Sequence, residues 1–364
     1  MADDALDKLR DKIDAIDERL LELFNQRASC AVEVAEVKRE LSDGADESID
    51  FFRPDREAQV IQRLKSLNQG PLSSDEVGRL IREVMSACLA LEQPLKIAYL
   101  GPEGTFTQSA ALKHFGHSVS TIPMSSIPDV FSSVESGHAD YGLVPVENST
   151  EGVISHTLDM FIDSGLKVCG EVEIRVHHHL ASKSQDVTTI KHIYSHQQSF
   201  AQCRRWLDQN MPGIERIPVS SNAEAARLAS IESDAAAICG LPAVEIFELK
   251  ICFENIEDLS DNTTRFVIIG QQDVGPSGND KTSLLISTRN IPGALLGLLQ
   301  PLADHGISMT RIESRPSRRR KWDYVFFIDI EGHAAEAPVS DALAQLEKDA
   351  SLFRVLGAYP KAIG

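Results

Sequence analysis

The sequence contains little of what marks secreted, metal-binding or membrane proteins. Its six cysteines are scattered and form no CxxC pair, which argues against a disulfide framework and against a cysteine zinc site. No apolar run approaches the ~18 residues that a membrane helix needs. The N-terminus is acidic where a signal peptide carries a basic segment. We therefore expect a cytoplasmic protein without a membrane partner.

Positive charge is also scarce, since the net charge is -18. Binding to nucleic acid is dominated by neutralisation of phosphates, so nucleic acid is not an expected partner. The charge is uneven: -8 over residues 1–95, -12 over 96–280 and +2 over 281–364. An anionic substrate would have to be held by a few well-placed cations against an unfavourable field. Individual arginines and lysines therefore carry the functional information.

The first part of the chain shows a helical pattern only. Apolar residues recur every three or four positions from Leu6 to Leu41, which predicts one long amphipathic helix with a break at 42–46. A second helix is expected from Pro54 to Leu67, and a third, capped by Ser73 to Glu76, continues to Glu92. Three helices of such unequal length close a core poorly, which favours intertwining with a second copy of the chain.

Cations on the first helix suggest an anion site. Arg27 and Lys38 share one face about 16 Å apart along the axis, so their long side chains can grip a small dianion between them. Arg10 lies about 25 Å before Arg27 on a different face, and would reach the same ligand only from another subunit. The alternative for each residue is a solvated surface charge.

Residues 5–93 resemble the all-helical chorismate mutases. The resemblance is carried by Leu9 to Asp14, Arg27-Ala28, Ala31 to Lys38 and Arg53 to Glu57. It implies the pericyclic rearrangement of chorismate to prephenate, which needs a clamp on two carboxylates and stabilised charge on the ether oxygen. By this resemblance, three arginines bind the carboxylates: Arg27, Arg56 and Arg10 of the partner subunit. Lys38 donates to the ether oxygen, and Glu57 orients a hydroxyl.

Three positions depart from that family pattern. Arg53 stands where some members have an acid, and Cys88 stands in the substrate site where a serine is familiar. Glu92 replaces a glutamine that often donates to the ether oxygen. A glutamate donates only when protonated, so we expect burial to raise the pKa of Glu92 and mutase activity to fall as pH rises.

After Gln93-Pro94 the pattern changes to short apolar strands that alternate with helices as far as Gly270. The pattern predicts an α/β domain with a mainly parallel sheet, whose ligand lies at the carboxyl ends of the strands. The expected strands include Tyr141 to Val146, Val168 to Val176, His192 to Ser195 and Phe266 to Ile269. The loop of Gly101 and Gly104 is neither a P-loop nor a dinucleotide fingerprint, so no ATP or NAD cofactor is expected.

The triplet His177-His178-His179 raises the alternative of a metal site. In an alternating strand its first and third members share one face, but no acid or cysteine ligand pattern accompanies them. Structural histidines are the preferred interpretation, and no metal is predicted.

Polar clusters follow several of these strands. They are Gly101 to Phe106, Pro145 to Ser149, Tyr194 to Gln197, Gln202-Cys203, Ser220 to Ala223 and Asn262 to Phe266. In this order they resemble prephenate dehydratase over most of residues 96–272. The resemblance implies two α/β lobes with a cleft between them, similar to periplasmic binding proteins.

The implied chemistry loses a ring carboxylate and a hydroxyl from prephenate to give an aromatic ring, and needs mainly a proton donor beside the hydroxyl. We assign that donor to Thr264. The residues expected to bind substrate are Asn148, Ser195, Gln202, Ser220, Ser221, Arg265 and Phe266. For Arg265 two roles stay open: it holds the side-chain carboxylate, or it only braces the loop.

A linker at 274–280 precedes a βαββαβ pattern typical of a ferredoxin-like unit. Asn290 to Leu296 and Glu313 to Pro316 resemble ACT domains that bind phenylalanine at a dimer interface. The implied allosteric residues are Gly293, Ala294, Leu295, Glu313, Ser314, Arg315 and Pro316. Phenylalanine is therefore the expected effector. The basic run Arg318 to Lys321 is interpreted as a solvated hairpin turn rather than a nucleic-acid site.

The order of the three segments matches the bifunctional chorismate mutase-prephenate dehydratases. We expect a multidomain chain with an all-α mutase domain at 1–94, a two-lobed α/β dehydratase domain at 95–273 and an α+β ACT domain at 280–364. A homodimer or dimer of dimers is expected. One alternative keeps the dehydratase but has a helical domain that only dimerises. Another is a sensor that binds aromatic metabolites without catalysis.

Overall fold

The computed structural model describes residues 2–42, 51–288, 291–317 and 324–362. It divides into two compact units, each with its own dense set of internal contacts. The first comprises Met1–Arg53, Val60–Leu95 and Phe115–Val119, and the second comprises Pro54–Gln59, Lys96–His114 and Ser120–Gly364. No helix among the described residues is both long and apolar enough to cross a bilayer.

The N-terminal region consists of three helices. They are α1 (Ala2–Ser42), α2 (Pro54–Leu67) and α3 (Ser74–Glu92). At 41 residues α1 is about 60 Å long. The Ser73 hydroxyl caps α3 by accepting from the backbone N–H of Glu76 at 3.2 Å, so the predicted cap and helix order are confirmed. Of the break predicted at 42–46, residues 43–46 lie outside the described residues.

One face of α1 is apolar and uncovered in the single chain. Its large side chains are 42–58% exposed, and they are Leu6, Leu9, Ile13, Ile16, Leu20 and Leu23. Further along the helix, Ala35 is buried. A stripe of this length is far larger than scattered surface hydrophobics, and such patches mark interaction sites.

The middle of the chain forms two lobes within the second unit. The first lobe contains β1 (Lys96–Leu100), α4 (Phe106–Phe115), β2 (Ser120–Met124), α5 (Ile127–Glu135), β3 (Tyr141–Asn148), β4 (Gly152–Val153), α6 (Ser155–Asp163) and β5 (Lys167–Arg175). The second contains β6 (His179–Ser182), a 3-10 turn at Val187–Thr189, β7 (His192–His196), α7 (Gln197–Gln202), α8 (Arg204–Asn210), β8 (Glu215–Val219), α9 (Asn222–Ile231), β9 (Ala235–Cys239), α10 (Leu241–Ile246) and β10 (Lys250–Phe253). Strand β11 (Thr263–Gly270) then returns to the first lobe.

Both lobe sheets are mixed, which corrects the expectation of a mainly parallel sheet. The first has the order β2-β1-β3-β11-β5, and the second has the order β10-β6-β9-β7-β8. Three strands in each are parallel, whereas β11 runs antiparallel to both of its neighbours. The chain leaves the first sheet along β5 and re-enters along β11 only after building the second lobe. Local sequence patterns do not reveal that return.

The C-terminal domain has the predicted βαββαβ order. It contains β12 (Asp280–Ser287), α11 (Ala294–Asp304), β13 (Met309–Pro316), β14 (Tyr324–Glu331), α12 (Val339–Asp349) and β15 (Leu352–Pro360). The sheet is antiparallel in the order β13-β14-β12-β15, and one face packs on both helices. The ferredoxin-like fold is therefore confirmed. Asn290 and the basic run Arg318 to Lys321 lie outside the described residues.

The other face of this C-terminal sheet packs against the first lobe. Leu285, Val325 and Phe327 share one hydrophobic core with Phe161 and other side chains of the lobe. Strand β15 also lies against β5 so closely that a side chain on Gly357 would collide with the backbone of Val168. The C-terminal domain and the first lobe therefore form one continuous packed body within the second unit.

Candidate functional site

The predicted acid, Thr264, lies at the start of β11 opposite Asn148 at the end of β3. Asn148 Nδ2 donates to Thr264 Oγ1 at 2.8 Å and to Asn262 Oδ1 at 2.8 Å. Thr264 is 9% exposed and Asn262 1%. A hydroxyl that accepts one hydrogen bond still has its own proton to donate. The geometry therefore suits Thr264 to act as a proton donor.

A chain of hydrogen bonds continues from Asn262 to Gln202 and His178. Gln202 Oε1 accepts from Asn262 Nδ2 at 3.1 Å and lies 2.8 Å from His178 Nε2. Gln202 Nε2 donates to Thr150 Oγ1 at 3.3 Å. The pKa of His178 is lowered by burial, so its ring is neutral near pH 7. The neutral ring donates from Nε2 and fixes which way the Gln202 amide points.

A cavity of about 320 Å³ opens beside this network. Its polar lining includes Thr150, Gln202 and Asn262, together with two arginines and three carboxylates: Arg204, Arg205, Glu151, Glu257 and Asp258. The volume is within the range of small-ligand sites. Two predicted residues of the site lie behind its wall: Asn148 is one hydrogen bond away through Asn262, and Thr264 is one further through Asn148.

The remaining predicted residues of the second lobe lie at the ends of β7 and β8, which run parallel. Ser195 is fully buried, and its hydroxyl lies 3.1 Å from Asn222 Oδ1 and 3.3 Å from the carbonyl of Ile238. It therefore supports Asn222 rather than facing a ligand. Ser221 caps α9 by accepting from the N–H of Glu224 at 3.0 Å, whereas Ser220 is exposed.

Two further residues that were predicted to contact substrate, Phe266 and Arg265, face other parts of the protein in the structure. Phe266 is 2% exposed in the middle of the first sheet, so it packs in the core instead of lining the cleft. Arg265 turns away from Thr264, and its guanidinium contacts Glu171, Asp329 and Tyr359. Of its two open roles, the geometry supports bracing over carboxylate binding.

Each histidine of the 177–179 triplet contacts a protein group. Besides the bond of His178 to Gln202, His177 Nδ1 lies 2.8 Å from Glu257, and the His179 ring accepts from the N–H of Asn255 at 3.3 Å. The pairing of His178 with Gln202 is not predictable from the sequence, because the two residues lie on different elements. Two further polar residues were not predicted as site residues. Thr150 follows the Pro145 to Ser149 cluster and bonds to Asn148 and Gln202, and Asn222 lies within the Ser220 to Ala223 cluster and bonds to Ser195 and Ser199.

The predicted mutase residues of α1 and α3 lie in the first unit, where Glu92 is within electrostatic range of Arg27 and Lys38. Lys38 Nζ donates to the carbonyl of Phe51 at 3.2 Å, and Arg27 is exposed. Burial raises the pKa of Glu92 although Lys38 and Arg27 act to lower it, so Glu92 lies within the field of both cations. Cys88 is buried at 5% exposure.

Arg10 is exposed on α1 and lies 3.2 Å from Asp7. On a straight helix it is about 25 Å from Arg27, so a single chain does not bring these two cations together. Arg56 and Glu57 lie on the first turn of α2, and Arg53 immediately precedes that helix.

The predicted effector residues lie on α11 and β13. Gly293 precedes α11 with φ +80°, a left-handed conformation that favours glycine, and a side chain there would meet open space. Ala294, Leu295 and Glu313 are half-buried, whereas Ser314 and Pro316 are exposed. The Arg315 guanidinium makes a bidentate contact with Asp159 of α6 at 2.9 and 3.0 Å.

Comparisons with known proteins match all three segments. Family models match as chorismate mutase type II over residues 9–93, prephenate dehydratase over 97–274 and ACT domain over 282–348. A bifunctional chorismate mutase/prephenate dehydratase of Pseudomonas aeruginosa is 54% identical, with 100% of both chains covered. One of Aquifex aeolicus is 43% identical, with 98% of each covered.

A solved structure is also similar to most of the chain. It is a prephenate dehydratase from Arthrobacter aurescens in complex with L-Phe, 34% identical with a TM-score of 0.68. The match covers 74% of this chain and 90% of that one.

Proposed function

This chain belongs to the bifunctional chorismate mutase/prephenate dehydratase family, and on that basis we propose that it converts chorismate to prephenate and prephenate to phenylpyruvate. The observation that carries the second activity is the hydrogen-bonded pair of Thr264 and Asn148 at adjoining strand ends. The helical segment at 1–94 performs the first reaction, the segment at 95–273 performs the second, and the segment at 280–364 binds phenylalanine as a feedback inhibitor.

In the dehydratase, Thr264 donates its hydroxyl proton to the hydroxyl that leaves prephenate. The bond between the ring and its carboxylate breaks, and its electron pair enters the ring. Carbon dioxide and water leave, phenylpyruvate remains, and Thr264 recovers a proton from solvent. Aromatisation drives the step, so a weak acid is sufficient when the proton is transferred as the C–O bond breaks.

The substrate is held by the surroundings of Thr264. Asn148 orients the hydroxyl, and Gln202 contacts the substrate at the cavity wall. Arg204 and Arg205 supply positive charge there for a dianion, against the carboxylates of Glu151, Glu257 and Asp258 in the same lining. Ser220 at the end of β8 is the exposed hydroxyl of the opposing lobe. No cofactor takes part in this scheme.

In the mutase, arginines clamp chorismate in a folded conformer. Arg27 and Arg56 bind carboxylates together with Arg10 of the partner subunit, Lys38 donates to the ether oxygen and Glu57 orients a hydroxyl. Glu92 adds a second donor to the ether oxygen in its protonated form, which its raised pKa supports. Cys88 lines the same site.

A dimer, alone or paired into a dimer of dimers, completes this site. The support is the exposed apolar face of α1, which a second copy would bury. The proposed location is the cytoplasm, in keeping with six cysteines that form no disulfide among the described residues.

One assay tests the whole proposal. Purified protein is given chorismate, and chorismate loss and phenylpyruvate formation are followed with and without phenylalanine. The proposal expects both reactions, with phenylpyruvate formation suppressed by phenylalanine. Phenylpyruvate formed from prephenate without any chorismate loss would instead support a helical segment that only dimerises. Ligand binding without either product would support a sensor.

A further inference from the structure

Strand alternation separates two neighbouring residues of β11 onto opposite faces of the first sheet. Thr264 pairs in register with Asn148 of β3, and the next pair is Arg265 with Glu147. Because side chains alternate along a strand, the first pair faces the catalytic side and the second faces the other way. The second side is the one on which Val267, two residues further, packs with the C-terminal sheet.

The Arg265 guanidinium is buried between the first lobe and the C-terminal domain. Its Nε donates to Glu171 Oε2 at 2.8 Å, its Nη1 to Asp329 Oδ2 at 2.6 Å and its Nη2 to Tyr359 Oη at 3.1 Å. The Arg265 side chain is 12% exposed, that of Glu171 1% and that of Asp329 7%. All three guanidinium nitrogens are therefore occupied, two of them by residues of the C-terminal domain.

The partners of Arg265 are themselves fixed. Ser283 Oγ donates to Asp329 Oδ1 at 2.6 Å and lies 2.7 Å from Tyr359 Oη. On the other side, Lys281 Nζ lies 2.8 Å from Glu171 Oε1. Burial would raise the pKa of Asp329, but Arg265 and Ser283 lower it below its ordinary value, so the carboxylate stays charged.

A second ion pair joins the C-terminal domain to the first lobe, at the strand next to β11. Arg311 Nε of β13 lies 3.4 Å from Glu147 Oε2 of β3, beside Asn148. Among the described residues, Nη2 of Arg311 is buried and has no hydrogen-bond partner. Both strands of the catalytic pair are therefore linked to the C-terminal sheet: β11 through Arg265, next to Thr264, and β3 through Glu147, next to Asn148.

We infer that Asp329 and Arg265 are positioning residues for the dehydratase: the C-terminal domain holds Arg265, and Arg265 holds the start of β11 so that Thr264 meets Asn148. The inference rests on the proposed dehydratase function. It makes the C-terminal domain part of the catalytic support even without effector. If Asp329 no longer held Arg265, the start of β11 would shift, and Thr264, the residue before Arg265, would shift with it. Small misplacements of a reacting group cost large factors in rate.

The test compares Asp329→Asn with Glu331→Gln in the full-length protein. Asp329→Asn keeps the shape of the side chain but removes the charge facing Arg265. Glu331 lies on the same strand two residues later and pairs with Lys361 in a half-exposed position, so it is a matched control. Without phenylalanine, Asp329→Asn is expected to lower dehydratase kcat at least about tenfold at nearly unchanged KM. Mutase rates in both variants, and dehydratase kcat in Glu331→Gln, stay at wild-type values.

A milder variant covers the case in which Asp329→Asn does not fold. Tyr359→Phe removes only the hydroxyl that contacts Arg265 and Ser283 and keeps the ring in the core. A kcat decrease of about threefold at constant KM supports the inference. If either soluble variant is less stable but keeps the wild-type kcat, the inference is overturned. The contacts of Arg265 with Asp329 and Tyr359 would then be structural only. If the wild-type enzyme forms no phenylpyruvate while it consumes chorismate, the proposed dehydratase function fails instead.

Discussion

Asn148 Nδ2 lies 2.8 Å from Thr264 Oγ1, so the threonine hydroxyl accepts from an amide that cannot take its proton. The hydroxyl proton is thereby left for a ligand. The same amide group also donates to Asn262, which links the pair to Gln202. An array of neutral donors and acceptors thus surrounds the proposed acid.

Replacement of the acid tests this assignment. We expect Thr264→Val to lower phenylpyruvate formation by about 10² to 10⁴, the usual contribution of a positioned proton donor, with the mutase rate intact. Thr263→Val is the matched control, since that hydroxyl donates to the carbonyl of Asp261 instead. Both rates are measured on the same preparations. Near-normal dehydratase activity in Thr264→Val would refute the role.

The sequence predicted helices better than it predicted which way side chains face. The Ser73 to Glu76 cap was predictable because both partners lie within one helical turn. The direction of Arg265 was not, since alternation separates it from Thr264 without revealing what covers each face. The burial of Ser195 and Phe266 escaped prediction for the same reason. Local patterns report periodicity, whereas the site depends on contacts between β11, β3 and α7, which are distant in sequence.

Buried neutral histidines make stability depend on pH. Burial lowers the pKa of His178 and of His179 in the folded protein. Below about pH 6.5 the unfolded chain binds protons that the folded chain does not, so the free energy of unfolding falls as pH decreases. We expect His178→Gln to lessen this loss by up to about 1.4 kcal/mol per pH unit.

Denaturant unfolding at pH 7.5 and pH 5.5 measures the effect. The exposed His138→Gln serves as control and should keep the wild-type difference between the two pH values. An equal difference in His178→Gln would contradict the assignment of a neutral buried ring. A glutamine amide can still donate to Gln202 Oε1, so this variant removes the titrating ring without removing the hydrogen-bond donor.

For Glu92 we expect a pH dependence of mutase activity, which should fall as pH rises. Its pKa is raised by burial, against the attraction of Lys38, Arg27 and Arg39. The protonated form is the donor, and it is lost as pH rises through that raised pKa, so mutase activity should decline. In Glu92→Gln the amide donates at every pH and the profile should be flat over this range. The rate of chorismate loss is measured from pH 4.5 to pH 8.5 in the wild-type protein and in Glu92→Gln. Identical pH profiles in the two proteins would contradict the role of Glu92 as a donor.

Subunit sharing of the mutase site can be tested by mixing inactive variants. Arg10 lies too far along α1 from Arg27 to serve the same ligand within one chain, so the site draws Arg10 of the partner subunit. We expect Arg10→Ala and Lys38→Ala each to abolish chorismate loss. In a mixed dimer of the two, one of the two sites then contains both native residues, because the defects fall together in the other.

Random pairing makes half of the dimers mixed, so co-expression of the two variants should restore about a quarter of the wild-type mutase rate. The matched control pairs Arg27→Ala with Lys38→Ala. These residues come from the same chain, so every site in that mixture keeps one defect and no recovery is expected. Recovery in the first mixture and none in the second requires both the dimer and the crossing of Arg10. A first mixture as inactive as its components would rule out the shared site, and the exposed apolar face of α1 would then need another partner.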